Sequence, residues 1–212
     1  GGRPQVTCGK AVGRDQVGHL LFHLGRHAEA LQLHKEMLTI QKAQLGPDHT
    51  DMLWTMMYNL ANDYGTLGRY ADALNLHEET LALRKAKLGS NHSHTFMDMW
   101  GVARSLVKLD RSTEAMPIID ECLRRAAGKI VDPRLIPGMM DLRLRHFQKI
   151  RDAAGCLETA GMWEDQKRAD AWSLYNSTCF RAVCAAVIRD TDQTPAGEVK
   201  AKEAEEWGRE SH

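Results

Sequence analysis

The chain has 212 residues, 43% of them hydrophobic and 26% charged, and its basic and acidic side chains balance to a formal net charge of zero. That composition supports a packed core and excludes a disordered chain, and the missing basic excess argues against nucleic-acid or anionic-membrane partners. Aromatics at 6%, with Ala, Leu, Met, Glu, Lys and Arg plentiful, predict an all-α protein.

Residues 1–10 read as an N-terminal extension. Gly1-Gly2-Arg3-Pro4-Gln5 has neither the apolar core of a signal peptide nor an initiating Met, so a piece of a longer chain is expected. From residue 11 the sequence repeats itself. Gly25-Arg26-His27-Ala28-Glu29-Ala30-Leu31 returns 43 residues later as Gly68-Arg69-Tyr70-Ala71-Asp72-Ala73-Leu74. The match continues through Leu33 and Leu76, His34 and His77, Glu36 and Glu79, Leu38 and Leu81, Lys42 and Lys85, and His49 and His92. A third, more diverged copy runs from Asp110-Arg111-Ser112-Thr113-Glu114-Ala115-Met116.

A period of this length predicts stacked supersecondary units, each too small to bury its apolar face alone. Met57, Leu60, Ala61 and Tyr64 form one helical stripe; after a break at Gly68, Ala73, Leu74, His77, Thr80 and Leu81 form a second. The unit is therefore a helix pair, with Ala61 and Ala73 small enough for close approach. Gly46-Pro47-Asp48-His49 reads as the turn that ends a pair. Residues 11–131 are predicted to hold three such pairs.

Residues 132–190 read as more degenerate helices of the same kind. Asp132-Pro133 starts one, with Met140, Leu144 and Phe147 leading toward Ile150; Ala153 to Trp163 is its partner. A long helix from Ala169 to Ile188 is assigned an apolar stripe of Leu174, Thr178, Val183 and Val187. Residues 191–212 form a charged last helix opened by Thr194-Pro195, a cap for the array or its frayed end. No apolar stretch reaches the roughly 20 residues a membrane span needs.

Chemistry-bearing residues are numerous but not clustered. Cys8, Cys122, Cys156, Cys179 and Cys184 are scattered without a Cys-x-x-Cys pair, which predicts reduced thiols and a cytoplasmic location. His19 and His23 stand one helical turn apart, a spacing that can hold a metal, but no third ligand lies nearby. The recurrence of His34 at His77, and of His49 at His92, points to structure, because a catalytic centre occurs once; His92 and His94 read as loop residues. Arg143, Arg145, Lys149 and Arg151 read as a solvated basic face. The methionines Met52, Met56, Met57, Met97, Met99, Met139 and Met140 read as core filler. No kinase, phosphate-loop, nucleophile-elbow or zinc-protease motif is present, so no enzyme, no metal site and no cofactor is expected.

The quoted repeats resemble the tetratricopeptide repeat, and more narrowly its 42-residue kinesin-light-chain-like variant, whose units end in a loop like Leu45-Gly46-Pro47-Asp48-His49. Residues 59–64 and 78–85 are especially similar to that variant. The stretch from Trp100 to Val183 also resembles repeat regions found C-terminal to bacterial serine/threonine kinases. The resemblance implies a right-handed α-solenoid of stacked antiparallel helix pairs that binds a protein or peptide along the first helices. Carried over by position, the groove residues are His19 and His23, then Tyr58, Asn59, Asn62 and Thr66, then Trp100, Arg104 and Lys108. Arg104 and Lys108 suit an acidic or phosphorylated ligand. The other readings are a spacer or dimerisation arm, which exposed Trp163, Trp172 or Trp207 would favour, and a metal- or thiol-dependent enzyme. The sequence leaves the oligomeric state open.

Overall fold

The computed structural model describes residues 16–18, 20–44, 50–165 and 171–210, with side chains for all of them except residues 42–44, 50–52, 171–175 and 207–210. The described residues contain helices and no strand. A first helix, described at residues 16–18 and 20–23, is followed by α1 (His27–Gln44), α2 (Thr50–Thr66), α3 (Tyr70–Leu88), α4 (Ser93–Lys108) and α5 (Ser112–Ala126). Then come α6 (Leu135–Lys149), α7 (Ala153–Glu164), α8 (Ala171–Thr191) and α9 (Pro195–Glu210). The chain divides into two compact units, residues 1–132 and 133–212.

In the first unit each helix packs on the next, and α2 also touches α4 directly. The first helices of neighbouring pairs therefore stand side by side. The turn inside each pair is the same device three times. Gly25, Gly68 and Asp110 take left-handed φ values of 75°, 74° and 65°. The following amide, of Arg26, Arg69 or Arg111, donates 2.9 Å back to the carbonyl of Leu21, Tyr64 or Leu106. That six-to-one closure needs a left-handed residue, which Gly adopts freely and Asp tolerates. Each of these arginines then pairs with a carboxylate three residues on, Glu29, Asp72 or Glu114. All three pairs are solvent-exposed and add little to stability.

Packing holds the pairs together. Leu31, Met37 and Leu38 of α1 form one cluster with Trp54, Met56, Met57 and Leu60 of α2. Burying each such side chain contributes about 1.5–3 kcal/mol. Ala61 and Ala73 are 0% and 1% exposed, and Ala103 repeats the position of Ala61. The methionines behave as expected at Met56, Met57, Met99, Met139 and Met140, all buried, whereas Met97 is half-buried. Between α3 and α4 a buried arginine joins the core: Arg84 donates 2.9 Å to Asp98 Oδ1.

In the second unit, arginines bridge successive helices. Arg143 of α6 donates to Thr159 and, at 2.8 Å, to Glu158 of α7. Arg181 of α8 binds Glu164 of α7, and Arg189 of α8 binds Glu198 and Glu205 of α9. Ala185 and Ile188 meet Ala201 and Ala204 in the α8–α9 core. The Cys156 thiol of α7 and the Cys184 thiol of α8 are both buried and free. The last helix starts as expected: the Thr194 hydroxyl accepts from the Gly197 amide at 3.1 Å, with Pro195 in the first turn.

Several sequence expectations are corrected. Arg143 is not on a solvated face but 5% exposed, because its guanidinium reaches three acceptors on α7. The α8 stripe does not run through Thr178 and Val183; the buried face is Phe180, Arg181, Cys184, Ala185, Val187 and Ile188. Ile150 does not continue a core stripe but caps α6 and is 54% exposed. His94 lies inside the first turn of α4, and His92 caps that helix, its ring accepting from the His94 amide. Trp163 is buried against Phe180, with ring centroids 5.7 Å apart. His19, Cys8 and the turn at residues 45–49 lie outside the described residues, as do the side chains of Lys42, Met52, Trp172, Leu174 and Trp207.

Candidate functional site

The repeat register places Asn62 of α2 and Arg104 of α4 at one position of consecutive first helices, 42 residues apart. The structure brings them into contact: an Arg104 guanidinium nitrogen donates 2.5 Å to the Asn62 side-chain oxygen. Trp100, one turn earlier on α4, carries the same guanidinium over its ring, 5.7 Å from the centroid. Both residues are half-buried. Lys108 follows one turn later and is exposed, adding a second positive charge on the same helix.

Arg104 differs from the other arginines that join two helices. Arg84, Arg143, Arg151, Arg181 and Arg189 all meet carboxylates. Arg104 meets a neutral amide, so its full positive charge stays available for a ligand.

His77 of α3 packs against both α2 and α4. Its ring stacks edge-on with Tyr58 of α2, centroids 5.4 Å apart. Its other face presses on α4 at Gly101, where a Cβ would come within 2.5 Å of the ring. The missing side chain at Gly101 leaves room for that ring. His77 is fully buried, and neither ring nitrogen has a hydrogen-bond partner. Burial pushes its pKa down from 6.5 to about 3, and the Arg104 and Arg84 charges push the same way.

The remaining groove candidates are less engaged with this centre. Asn59 is half-buried on α2, and the Thr66 hydroxyl is turned to its own helix, donating 3.0 Å to the Asn62 carbonyl. His23 is exposed, its ring edge against Phe22 at 5.9 Å between centroids. Asn62, Trp100 and Arg104 thus converge, Tyr58 packs on His77 instead, and Thr66 and Lys108 follow one turn later on their helices. His77 and Gly101 were not among the groove residues read from sequence; the recurrence of His34 at His77 was the available signal.

As for metal or thiol chemistry, no group of three or more His, Cys, Asp or Glu among the described residues is placed to hold a metal ion. The Cys122 thiol is buried and pushed up to about 12 by that burial, with the Glu121 charge adding to it. No described helix is long and apolar enough to cross a membrane.

The tetratricopeptide repeat profile matches residues 13–86 and again 55–127, more than half of the chain. The chain belongs to the tetratricopeptide repeat family. No curated protein sequence matches this tetratricopeptide repeat protein. Its structure is similar to that of a Podosopora anserina kinesin light chain of nearly identical TPR-like repeats, with a TM-score of 0.71, 16% identity, and 94% of this chain and 95% of that chain covered. A point variant of that protein gives a TM-score of 0.72 at 18% identity, covering 94% and 93%. BtubC from P. vanneervenii gives 0.70 at 15% identity, covering 95% of this chain and 79% of that chain. At such identities the likeness is one of fold, and it is the kinesin-light-chain-like fold that the repeat loops resemble. The resemblance to kinase-associated repeats has no counterpart in these matches. A tetratricopeptide repeat array of this kind is a protein–protein interaction scaffold.

Proposed function

We propose that the array binds an extended, acidic peptide segment of a partner protein across α2 and α4, and that it works as a non-catalytic scaffold in the cytoplasm. The observation that carries this reading is Arg104, a half-buried cation bonded to the Asn62 amide and backed by Trp100. Asn62 can hold a peptide backbone through both its amide functions. Arg104 presents a planar fork suited to a carboxylate, and Lys108 offers a second charge one turn away. The scaffold role does not depend on whether the array is the C-terminal part of a bacterial serine/threonine kinase. The zero net charge favours protein over nucleic acid as the partner.

A fluorescence-anisotropy screen against extended peptides of graded Asp and Glu content tests this. Acidic peptides are expected to bind best, with affinity falling as salt rises. The Asn62→Ala/Arg104→Ala double variant should lose at least about tenfold of that affinity, the size of one charge-assisted contact. Equal binding by wild type and double variant would refute the groove.

A further inference from the structure

The first helix carries an apolar stripe, two positions of which later repeats keep covered. At its equivalent positions in the second pair, Leu60 is 4% and Asp63 2% exposed, and Asp63 reaches His34 of the preceding pair at 2.5 Å. In the third pair the same positions, Val102 and Ser105, are 2% and 4% exposed. In the first pair they are Val17 and Leu20, exposed at 47% and 58%. Leu24 completes the row at 62%, against 39% for Leu67 at the matching place in the second pair. Val17, Leu20 and Leu24 are spaced by three and four residues, the seam spacing of paired helices.

We propose that this seam is the contact of a symmetric dimer, occupied by the same seam of a second copy of the chain. Residues 16–24 contain no Asp, Glu, Lys or Arg, so two copies approach without like-charge repulsion. An antiparallel two-fold pairing sets Leu20 against its own equivalent and Val17 against the other copy's Leu24, which makes the stripe self-complementary. Head-to-tail addition to α9 would meet a charged face instead: the exposed side chains described there include Glu198, Lys200, Lys202, Glu203 and Glu206. The dimer does not rest on the groove reading, since Asn62 and Arg104 lie on other helices.

Light scattering coupled to size exclusion, run from low to high micromolar protein, tests it. Wild type is expected at twice the 23.8 kDa chain mass. Leu20→Asp/Leu24→Asp should shift it to the monomer with unchanged helical circular dichroism, because both side chains are exposed and carry none of the core. A monomeric wild type at the highest concentration overturns the proposal, and so does a dimer that the double substitution leaves intact.

Discussion

His34 and His77 occupy one position of the repeat in consecutive pairs, and each lays its ring against a glycine, Gly18 for the first and Gly101 for the second. Their partners differ. His34 Nδ1 lies 2.5 Å from the buried Asp63 carboxylate. One repeat later Ser105 stands in the place of Asp63, and its hydroxyl donates to the Gly101 carbonyl instead. His77 therefore has both nitrogens buried without a partner. An unsatisfied buried polar group costs about 1–3 kcal/mol, so this repeat gives up stability at His77.

Acid should reveal that strain. The unfolded chain takes up a proton on His77 below its ordinary pKa of 6.5, while the folded chain refuses it until about 3. The site's contribution is complete above pH 6.5 and is lost as pH falls toward 3, on the order of 4 kcal/mol in all. His77→Leu should flatten this slope and be neutral or stabilising at neutral pH. Urea denaturation of both proteins across that range decides it; parallel losses would mean His77 contributes nothing.

Gly101→Ala should destabilise, although alanine is the better helix former by about 1 kcal/mol. The new Cβ meets the imidazole within 2.5 Å, and that ring is held between α2 and α4. A loss of about 1–3 kcal/mol is expected, the range for overpacking. In a His77→Ala background the same substitution should cost little or gain. A double-mutant cycle by denaturant melts measures the coupling, and a coupling near zero would break the assigned contact.

The period, the helix pairs and the Gly25 and Gly68 turns were legible because they follow from local sequence: spacing, small residues and φ requirements. That Asn62 and Arg104 share one position of consecutive first helices was legible by register, since one repeat indexes the next. What sequence did not show depends on contacts between helices. Arg143 looks solvated in a basic run, and only the approach of α7 supplies Thr159 and Glu158 to bury it. On α8 a period drawn through Thr178 and Val183 missed a wider face, because Arg181 is buried there through its pairing with Glu164. The Asn62–Arg104 bond likewise appears only once α2 and α4 lie side by side.

The Arg84–Asp98 pair predicts an opposite pH trend. Burial raises the Asp98 pKa from 3.8 to about 7, outweighing the nearby Arg84 charge. The folded chain therefore holds a proton that the unfolded chain has released, and this site loses stability as pH rises from about 4 to 7. Arg84→Met should cost about 3 kcal/mol in mildly alkaline solution, where it strands a buried carboxylate. Below pH 7 the cost should shrink, because Asp98 is then neutral. Thermal melts of the variant on either side of neutrality test this, and a pH-independent cost would contradict the assigned protonation.

Asn62→Asp would supply beside Arg104 the carboxylate that its Asn62 partner lacks. Asn and Asp are nearly isosteric, and the existing 2.5 Å contact already sets the geometry for a charge-assisted pair. Folding should be unharmed or slightly strengthened, by no more than about 1 kcal/mol at this half-buried site. Binding of acidic peptides should fall at least about tenfold, because the guanidinium is now neutralised from within and the ligand meets a like charge. The fall should exceed that caused by Asn62→Ala, which removes a hydrogen-bonding group without adding charge. Anisotropy titrations of the two variants, with melting curves as the control on folding, separate these effects. Equal affinities for both variants would show that the Arg104 charge plays no part in recognition.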